Sequence, residues 1–380
     1  MAPLRVALIG LSSSAKTSWA SGAHLPYLVS ARGQSKFKIV ALLNSSVDAA
    51  KAAIAAYNLP AETKAYGDPA ALAADKDIDL VVCNTRVDKH HETIRPSIAA
   101  GQNVYCEWPL GKNDSQARDL VELARQSGSK TMVGLQGRLA PLALKVREII
   151  ESGRIGKVLS SECRGYGGTI DRQAVPEGLK YFYVREVGGN PFTIRIGHTF
   201  DFLQSVLGEA SPVKGHFQVQ RPEGKVFDPV TRAPLETINS DVPDLVIITG
   251  TLAESEFVQK NATIHLSYRR GQTFPGEPEL VWNVNGEKGE IRVTSPSSAA
   301  LQVLPGSEMP VIEVHDFETG KVDKVDWEHG WQDWQEGLDM RSRNVGALYE
   351  AFAEGGKYPT FEDALKRHEQ LEGLWADWKA

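Results

Sequence analysis

Arg5-Val6-Ala7-Leu8-Ile9-Gly10-Leu11-Ser12-Ser13-Ser14-Ala15-Lys16 decides how the chain is read. A short, mostly apolar run stops at a glycine and enters a serine-rich turn. A dinucleotide fold needs a glycine at this place, where the first strand turns tightly into a helix whose N-terminal amides receive a pyrophosphate. Gly10 meets that need. The second and third glycines of Gly-x-Gly-x-x-Gly are missing. Ser12, Ser13 and Ser14 offer hydroxyls and amides instead, and Lys16 adds a positive charge. Taken alone, the turn suits an ordinary strand–helix connection equally well.

On either side of this turn, short apolar runs alternate with helix-like segments through the first third. Strands are expected at 5–9, 38–43, 79–84, 103–106 and 131–135. Helices are expected at 18–30, 48–57, 91–100 and 114–127, the last with Asp114 as its N-cap. Fully apolar strands separated by helices indicate a parallel sheet covered on both faces. The second strand ends at Asn44-Ser45-Ser46. An acid there would bind a ribose 2′-hydroxyl and repel a 2′-phosphate. Asn44 is uncharged and Ser45 and Ser46 can donate hydrogen bonds, so NADP is expected to be accepted alongside or ahead of NAD.

After residue 139 the pattern changes. An amphipathic helix at 141–152 precedes alternating stretches at 157–166, 213–220, 245–251, 262–269, 280–285 and 290–294, as in half-buried antiparallel strands. Asn285-Gly286-Glu287-Lys288-Gly289 is a hairpin signal. The segment 221–241, rich in Pro, Gly and Thr, reads as a long loop. Trp327, Trp331 and Trp334 read as one face of a helix at 325–338, suited to core or subunit packing. The tail from 341 is helical with a break at 355–359.

The chain has 380 residues, a length that suits two ordinary domains. Its 42% hydrophobic and 24% charged content is that of a globular protein. A net charge of −6 argues against direct nucleic-acid binding, which draws on a basic excess. Cys83, Cys106 and Cys163 follow neither zinc nor disulfide-framework spacing; they read as buried, reduced thiols in an intracellular, cytoplasmic protein. No apolar run is long enough to span a membrane. No metal-ligand cluster is expected.

Several segments then align, in order, with one family. Asn84-Thr85-Arg86 followed by His90 resembles the Thr-Pro-x-x-x-His segment of the glucose–fructose oxidoreductase / inositol dehydrogenase (Gfo/Idh/MocA) family. The segment from Ala100 to Glu107-Trp108-Pro109 resembles its Ala-Gly-Lys-x-Val-x-x-Glu-Lys-Pro. Gly134-Leu135-Gln136-Gly137-Arg138 resembles its nicotinamide-side strand end, and Gly188-Gly189-Asn190 through His198 and Asp201 its Gly-Gly-Gly…Asp-x-x-x-His-x-x-Asp helix. Pro359 to Ala364 resembles its C-terminal helix entry. Within the family, Trp19, Glu107-Trp108, Leu135 to Arg138 and Gly197 to Asp201 resemble the fungal galactose-pathway repressor branch.

The resemblance implies an α/β protein: an N-terminal Rossmann parallel sheet at 1–136 and a C-terminal α/β domain at 137–380 on an open, mainly antiparallel sheet. Its last helices return toward the first domain, and the exposed sheet face forms a dimer or tetramer. The resemblance also places cofactor contacts at Gly10, Ser12, Ser13, Ser14, Lys16, Asn44, Ser45, Ser46, Asn84, Thr85, His90, Glu107, Trp108, Pro109, Gln136 and Arg138. The family's catalytic Lys is replaced by Trp108 and its Asp by Ile194, leaving His198. Trp supplies no cation and Ile orients no histidine. Tyr166, Lys180 and Tyr181 are candidates to supply the missing acid or cation, alongside Arg172 and Tyr183; each also reads as part of a polar, aromatic loop. His198 reads either as an acid–base residue or as a helix-face histidine bonded near Asp201. Two functions therefore stand: an atypical NAD(P)-dependent oxidoreductase acting on a small cyclic or sugar-like molecule, or a non-catalytic, cofactor-sensing regulator, nuclear or cytoplasmic, that binds a transcription activator.

Overall fold

A computed structural model describes residues 2–14, 19–167, 171–296 and 308–378. The chain divides into two compact units. The first comprises Met1–Gln136, Glu186–Gly189 and Asp333–Glu369; the second comprises Gly137–Arg185, Asn190–Gln332 and Gln370–Ala380.

The first unit is built on β1 (Leu4–Ile9), β2 (Phe37–Leu43), β3 (Lys64–Tyr66), β4 (Leu80–Cys83), β5 (Asn103–Cys106) and β6 (Thr131–Val133). The strands are parallel, in the order β3-β2-β1-β4-β5-β6. Val6, Ala7 and Leu8 on β1 and Val81 and Val82 on β4 are fully buried, so both sheet faces are covered, as their unbroken apolar runs require. Order reverses between β1 and β4, and that switch point is where such sheets bind ligands. Helix Asp114–Ser127 is capped by Asn113, whose side chain accepts from Gln116 N at 3.0 Å. The expected cap Asp114 is instead the first helical residue.

Residues of the tail complete this unit's core. Helix Met340–Glu354 buries Val345, Leu348 and Tyr349. Glu350 accepts from Tyr27 Oη at 2.7 Å and from Arg32 at 2.8 and 2.9 Å. Trp334 lies 5.4 Å from the Tyr27 ring.

The second unit carries an eight-stranded sheet in the order β17-β16-β15-β14-β7-β13-β12-β9. Its strands are β7 (Val158–Tyr166), β9 (Ala210–Gln218), β12 (Leu245–Leu252), β13 (Val258–Arg269), β14 (Leu280–Gly286), β15 (Gly289–Ser295), β16 (Val311–Asp316) and β17 (Val322–Val325). Only the β7–β13 pair is parallel. Cys163, Leu266, Trp282 and Val293 turn to the buried face, where Phe202 of helix Gly197–Leu207 meets Trp282 edge-on, and helix Pro141–Glu151 packs on that helix. Glu162, Arg164 and Arg292 turn outward.

Two further expectations are corrected. The segment read as a loop at 221–241 forms β10 (Glu223–Phe227) and β11 (Pro234–Asn239), which join β8 (Ala174–Pro176) in a second sheet. Val226, Val175 and Tyr183 form its small core. Gly224 is required there, because a Cβ would stand 2.2 Å from the Tyr183 ring. The three tryptophans do not share a helix. Two short 3-10 turns, Glu328–Gly330 and Asp333–Gln335, replace it, and Trp327 Nε1 donates to Pro310 O at 2.9 Å.

Candidate functional site

The switch point assembles from four strand ends. Gly10 N donates to Leu43 O and Asn84 N to Ile9 O, each at 3.0 Å, while Glu107 N donates to Cys83 O at 3.1 Å. Gly10 takes φ +87°, and a Cβ there would lie 3.1–3.2 Å from the Asn84 backbone and the Thr85 methyl. Glycine is required both for its conformation and for this approach. Asn44, expected among the cofactor contacts, donates from Nδ2 to Leu11 O at 2.9 Å. Tyr57, which no motif flagged, donates to Ser12 O at 3.0 Å. Asn44 and Tyr57 thus hold the carbonyl side of the serine-rich turn. Ser14 N donates to Ser12 Oγ, and Ser13 and Ser14 are exposed. Lys16 lies outside the described residues. Ser45 and Ser46 are exposed at the end of β2, where Ser46 caps helix Val47–Ala56.

Asn84 fits a bound dinucleotide. Its Nδ2 and Oδ1 are both buried and neither meets a protein partner. A primary amide so placed beside Gly10 can donate to and accept from a ligand group. The residues at this switch point fit a nicotinamide dinucleotide.

His90 ties the next two turns together, its Nδ1 facing Pro109 O at 2.9 Å and its Nε2 facing Thr85 O at 2.8 Å. The Trp108–Pro109 peptide is cis. Trp108 is buried and packs on His368, ring centroids 4.8 Å apart. Burial pushes the His368 imidazole down to about 4, and its Nε2 has no hydrogen-bond partner. Glu107, expected among the cofactor contacts, is buried with Oε1 2.9 Å from His24 Nε2. His24 Nδ1 continues to Tyr349 Oη at 2.8 Å. Gly134 makes room for this carboxylate, since a Cβ there would meet Glu107 Oε2 at 2.5 Å.

In the second unit, Asn190 Oδ1 accepts from Phe192 N and Thr193 N at 3.0 Å. It thereby starts a π-helical turn, Phe192–Ile196, that runs directly into helix Gly197–Leu207. Such turns cluster at functional sites. His198 sits half-buried in the first turn of that helix, and Ile194 lies in the π turn. Asp201, one helical turn on, holds Arg138 through two bonds of 2.6 and 2.9 Å. Gln136 is buried at the start of the 3-10 turn that carries Arg138. Tyr166 ends β7 with the Arg269 guanidinium 4.7 Å from its ring. Lys180 is exposed and pairs with Glu236 at 3.2 Å, and Tyr181 packs edge-on to Phe182. Arg172 donates to Gln272 O, and Tyr183 is buried under Arg270.

Residues 4–135 match the model of the oxidoreductase family with an NAD-binding Rossmann fold, and residues 141–295 match that of the Gal80p C-terminal domain. Dehydrogenase aclE of Aspergillus oryzae is 31% identical over 98% of this chain and 95% of its own. The chain belongs to the Gfo/Idh/MocA family. The galactose/lactose metabolism regulatory protein of Saccharomyces cerevisiae is 28% identical over 77% of this chain and 67% of its own. Among solved structures, a super-repressor mutant of that Gal80p superposes with a TM-score of 0.84 at 24% identity, covering 99% of this chain and 95% of the other. Levoglucosan dehydrogenase in complex with NADH and L-sorbose gives 0.76 at 18%, covering 99% and 96%. The fold and the Gal80-like branch of the family are thus those the motifs implied, and the family includes both dehydrogenases and regulators.

Proposed function

We propose that the protein is an NAD(P)-dependent oxidoreductase that passes a hydride between nicotinamide and a small cyclic or sugar-like substrate. The observation that carries this reading is the match to a dehydrogenase along almost the entire chain, 98% of it at 31% identity. The orphaned amide of Asn84 beside Gly10 supports the cofactor half. Bound nicotinamide would supply the hydride acceptor or donor. His198 takes the hydroxyl proton in oxidation and returns it in reduction. With Trp108 and Ile194 at the family's Lys and Asp positions, Lys180, Tyr166 and Tyr181 are the side chains proposed to stabilise the substrate oxygen. The uncharged end of β2 supports NADP over NAD. The outward sheet face is proposed as the contact of a dimer or tetramer, and the three free cysteines accord with an intracellular location.

The test is a screen of polyols, cyclic diols and sugars for a change in NADPH absorbance. Turnover that falls about 100-fold or more in His198→Ala supports the assignment. A second reading, a regulator that masks a transcription activator, is favoured by the loss of the two family catalytic residues and by the 28% identity to a galactose-pathway regulator. It predicts no turnover across the screen and NADP-dependent capture of an acidic–hydrophobic activation segment.

A further inference from the structure

Cys83 closes β4 and Cys106 closes β5, and the two are register partners in neighbouring parallel strands. Their sulfurs and a His90 ring nitrogen lie within 4.8 Å of one another, and all three residues are buried. Chain spacing gave no hint of this grouping, which comes from the strand register. The donor set invites a soft metal ion, but His90 argues against one. Each of its ring nitrogens faces a carbonyl oxygen, at 2.9 and 2.8 Å. Both ring nitrogens are thus engaged with the backbone, and neither is aimed at a metal held by the two sulfurs. What remains is two neighbouring thiols beside a backbone-held imidazole. Burial pushes the Cys83 thiol up, but a hydrogen bond from Cys106, the His90 charge and bonds from Thr85 outweigh it and bring it to about 6. Burial holds the Cys106 thiol far above its ordinary range. The Cys163 thiol, likewise buried, is raised too.

We propose that Cys83 and Cys106 are an oxidisable pair, with Cys83 the attacking thiolate, Cys106 the resolving thiol and His90 the imidazole packed beside them. A peroxide is the oxidant. The Cys83 sulfur attacks one peroxide oxygen, the O–O bond breaks, and the departing hydroxide takes a proton to become water. This leaves Cys83 as a sulfenic acid. The Cys106 sulfur then attacks the Cys83 sulfur, the S–O bond breaks, and the leaving hydroxide carries off the Cys106 proton as a second water. Both sulfurs end one electron oxidised, and the peroxide is reduced by two. The sulfurs are sealed from solvent, so only a small oxidant reaches them. Disulfide formation removes the negative charge facing His90, which holds the turns at Thr85 and Pro109. Resting on the dinucleotide reading above, oxidation therefore loosens the nicotinamide side of the site.

The folded protein is treated with a small excess of hydrogen peroxide, unfolded in an alkylating reagent, digested and weighed. The expected product joins the peptides of Cys83 and Cys106, two hydrogens lighter than the reduced pair, with Cys163 alkylated as an internal control. In Cys106→Ser, a sulfenic-acid trap such as dimedone should label Cys83. Cys83 and Cys106 both alkylated after peroxide overturns the proposal, as does a stoichiometric metal that co-purifies and shields them. NADPH affinity in the same samples should fall several-fold on oxidation and recover with a thiol reductant; unchanged affinity overturns the link to the site. Failure of the untreated protein to bind NADPH would defeat the functional reading and leave the mass result standing.

Discussion

His368 lies buried against Trp108 with its imidazole held down to about 4, against 6.5 when free. Between those values the unfolded chain binds the additional proton, so stability falls as pH drops from about 6.5 to about 4. The full effect is about 3 kcal/mol. Urea unfolding across that range should show a shallower pH slope in His368→Gln than in the wild type; parallel slopes would rule the assignment out. Gly10 sets a second expectation. Gly10→Ala places a side chain at φ +87° and 3.1 Å from the Asn84 backbone, which should cost at least about 1 kcal/mol and abolish NADPH binding in a fluorescence titration. Gly10 and the His90 turns were legible in the chain because motif chemistry is local. The His24–Glu107–Tyr349 line was not, because Tyr349 lies 325 positions from His24 and no local pattern reports such a pairing. At Asn44 the position at the β2 end was legible, but the bond from its amide to Leu11 O across 33 residues was not.

At the level of elements, periodicity found the strands whose inward face is continuous and passed over those that pack on little. The central strand β7 alternates outward Glu162 and Arg164 with inward Cys163, and this alternation was readable. Strands β10 and β11 bury one main side chain, Val226, and their Pro and Gly content outweighed it. The helix of His198 was readable from its motif, but the π turn ahead of it depends on Asn190 capping two amides. What fixes this helix to the 3-10 turn at Gln136–Leu139 is the Arg138–Asp201 pair, with Asp201 almost fully buried and Arg138 largely so. Removing one member takes a two-bond partner from a largely buried charge. Asp201→Ala is therefore expected to destabilise the protein by about 3 kcal/mol in urea unfolding. Restoring neutrality with Asp201→Ala in an Arg138→Met background should recover part of the loss, a coupling that a double-mutant cycle measures.

Across the whole molecule, neither unit is one continuous stretch of chain. The motifs end the dinucleotide-binding segment near Gln136, and the parallel sheet is complete by then, which suggests that a fragment of 136 residues could stand alone. Its core argues otherwise. Val345, Leu348, Tyr349 and Phe361 are each fully buried and come from the tail. Tyr349 stacks on Tyr27 at 5.4 Å and meets Phe37 and Tyr105 edge-on. Val133 N donates to Pro359 O at 2.9 Å along the edge strand β6. Glu350 is the acceptor for Tyr27, Arg32 and Lys36, so the short fragment leaves the Tyr27 hydroxyl without its acceptor. Losing those four side chains exposes an apolar surface worth roughly 1.5–3 kcal/mol for each, a sum comparable to the whole stability of a domain. A chain ended at Gln136 is expected to show neither a cooperative thermal transition nor NADPH binding. Residues 333–369 tethered to it by a Gly/Ser linker should restore both; a cooperative transition in the short fragment itself would show that the tail is dispensable to this fold.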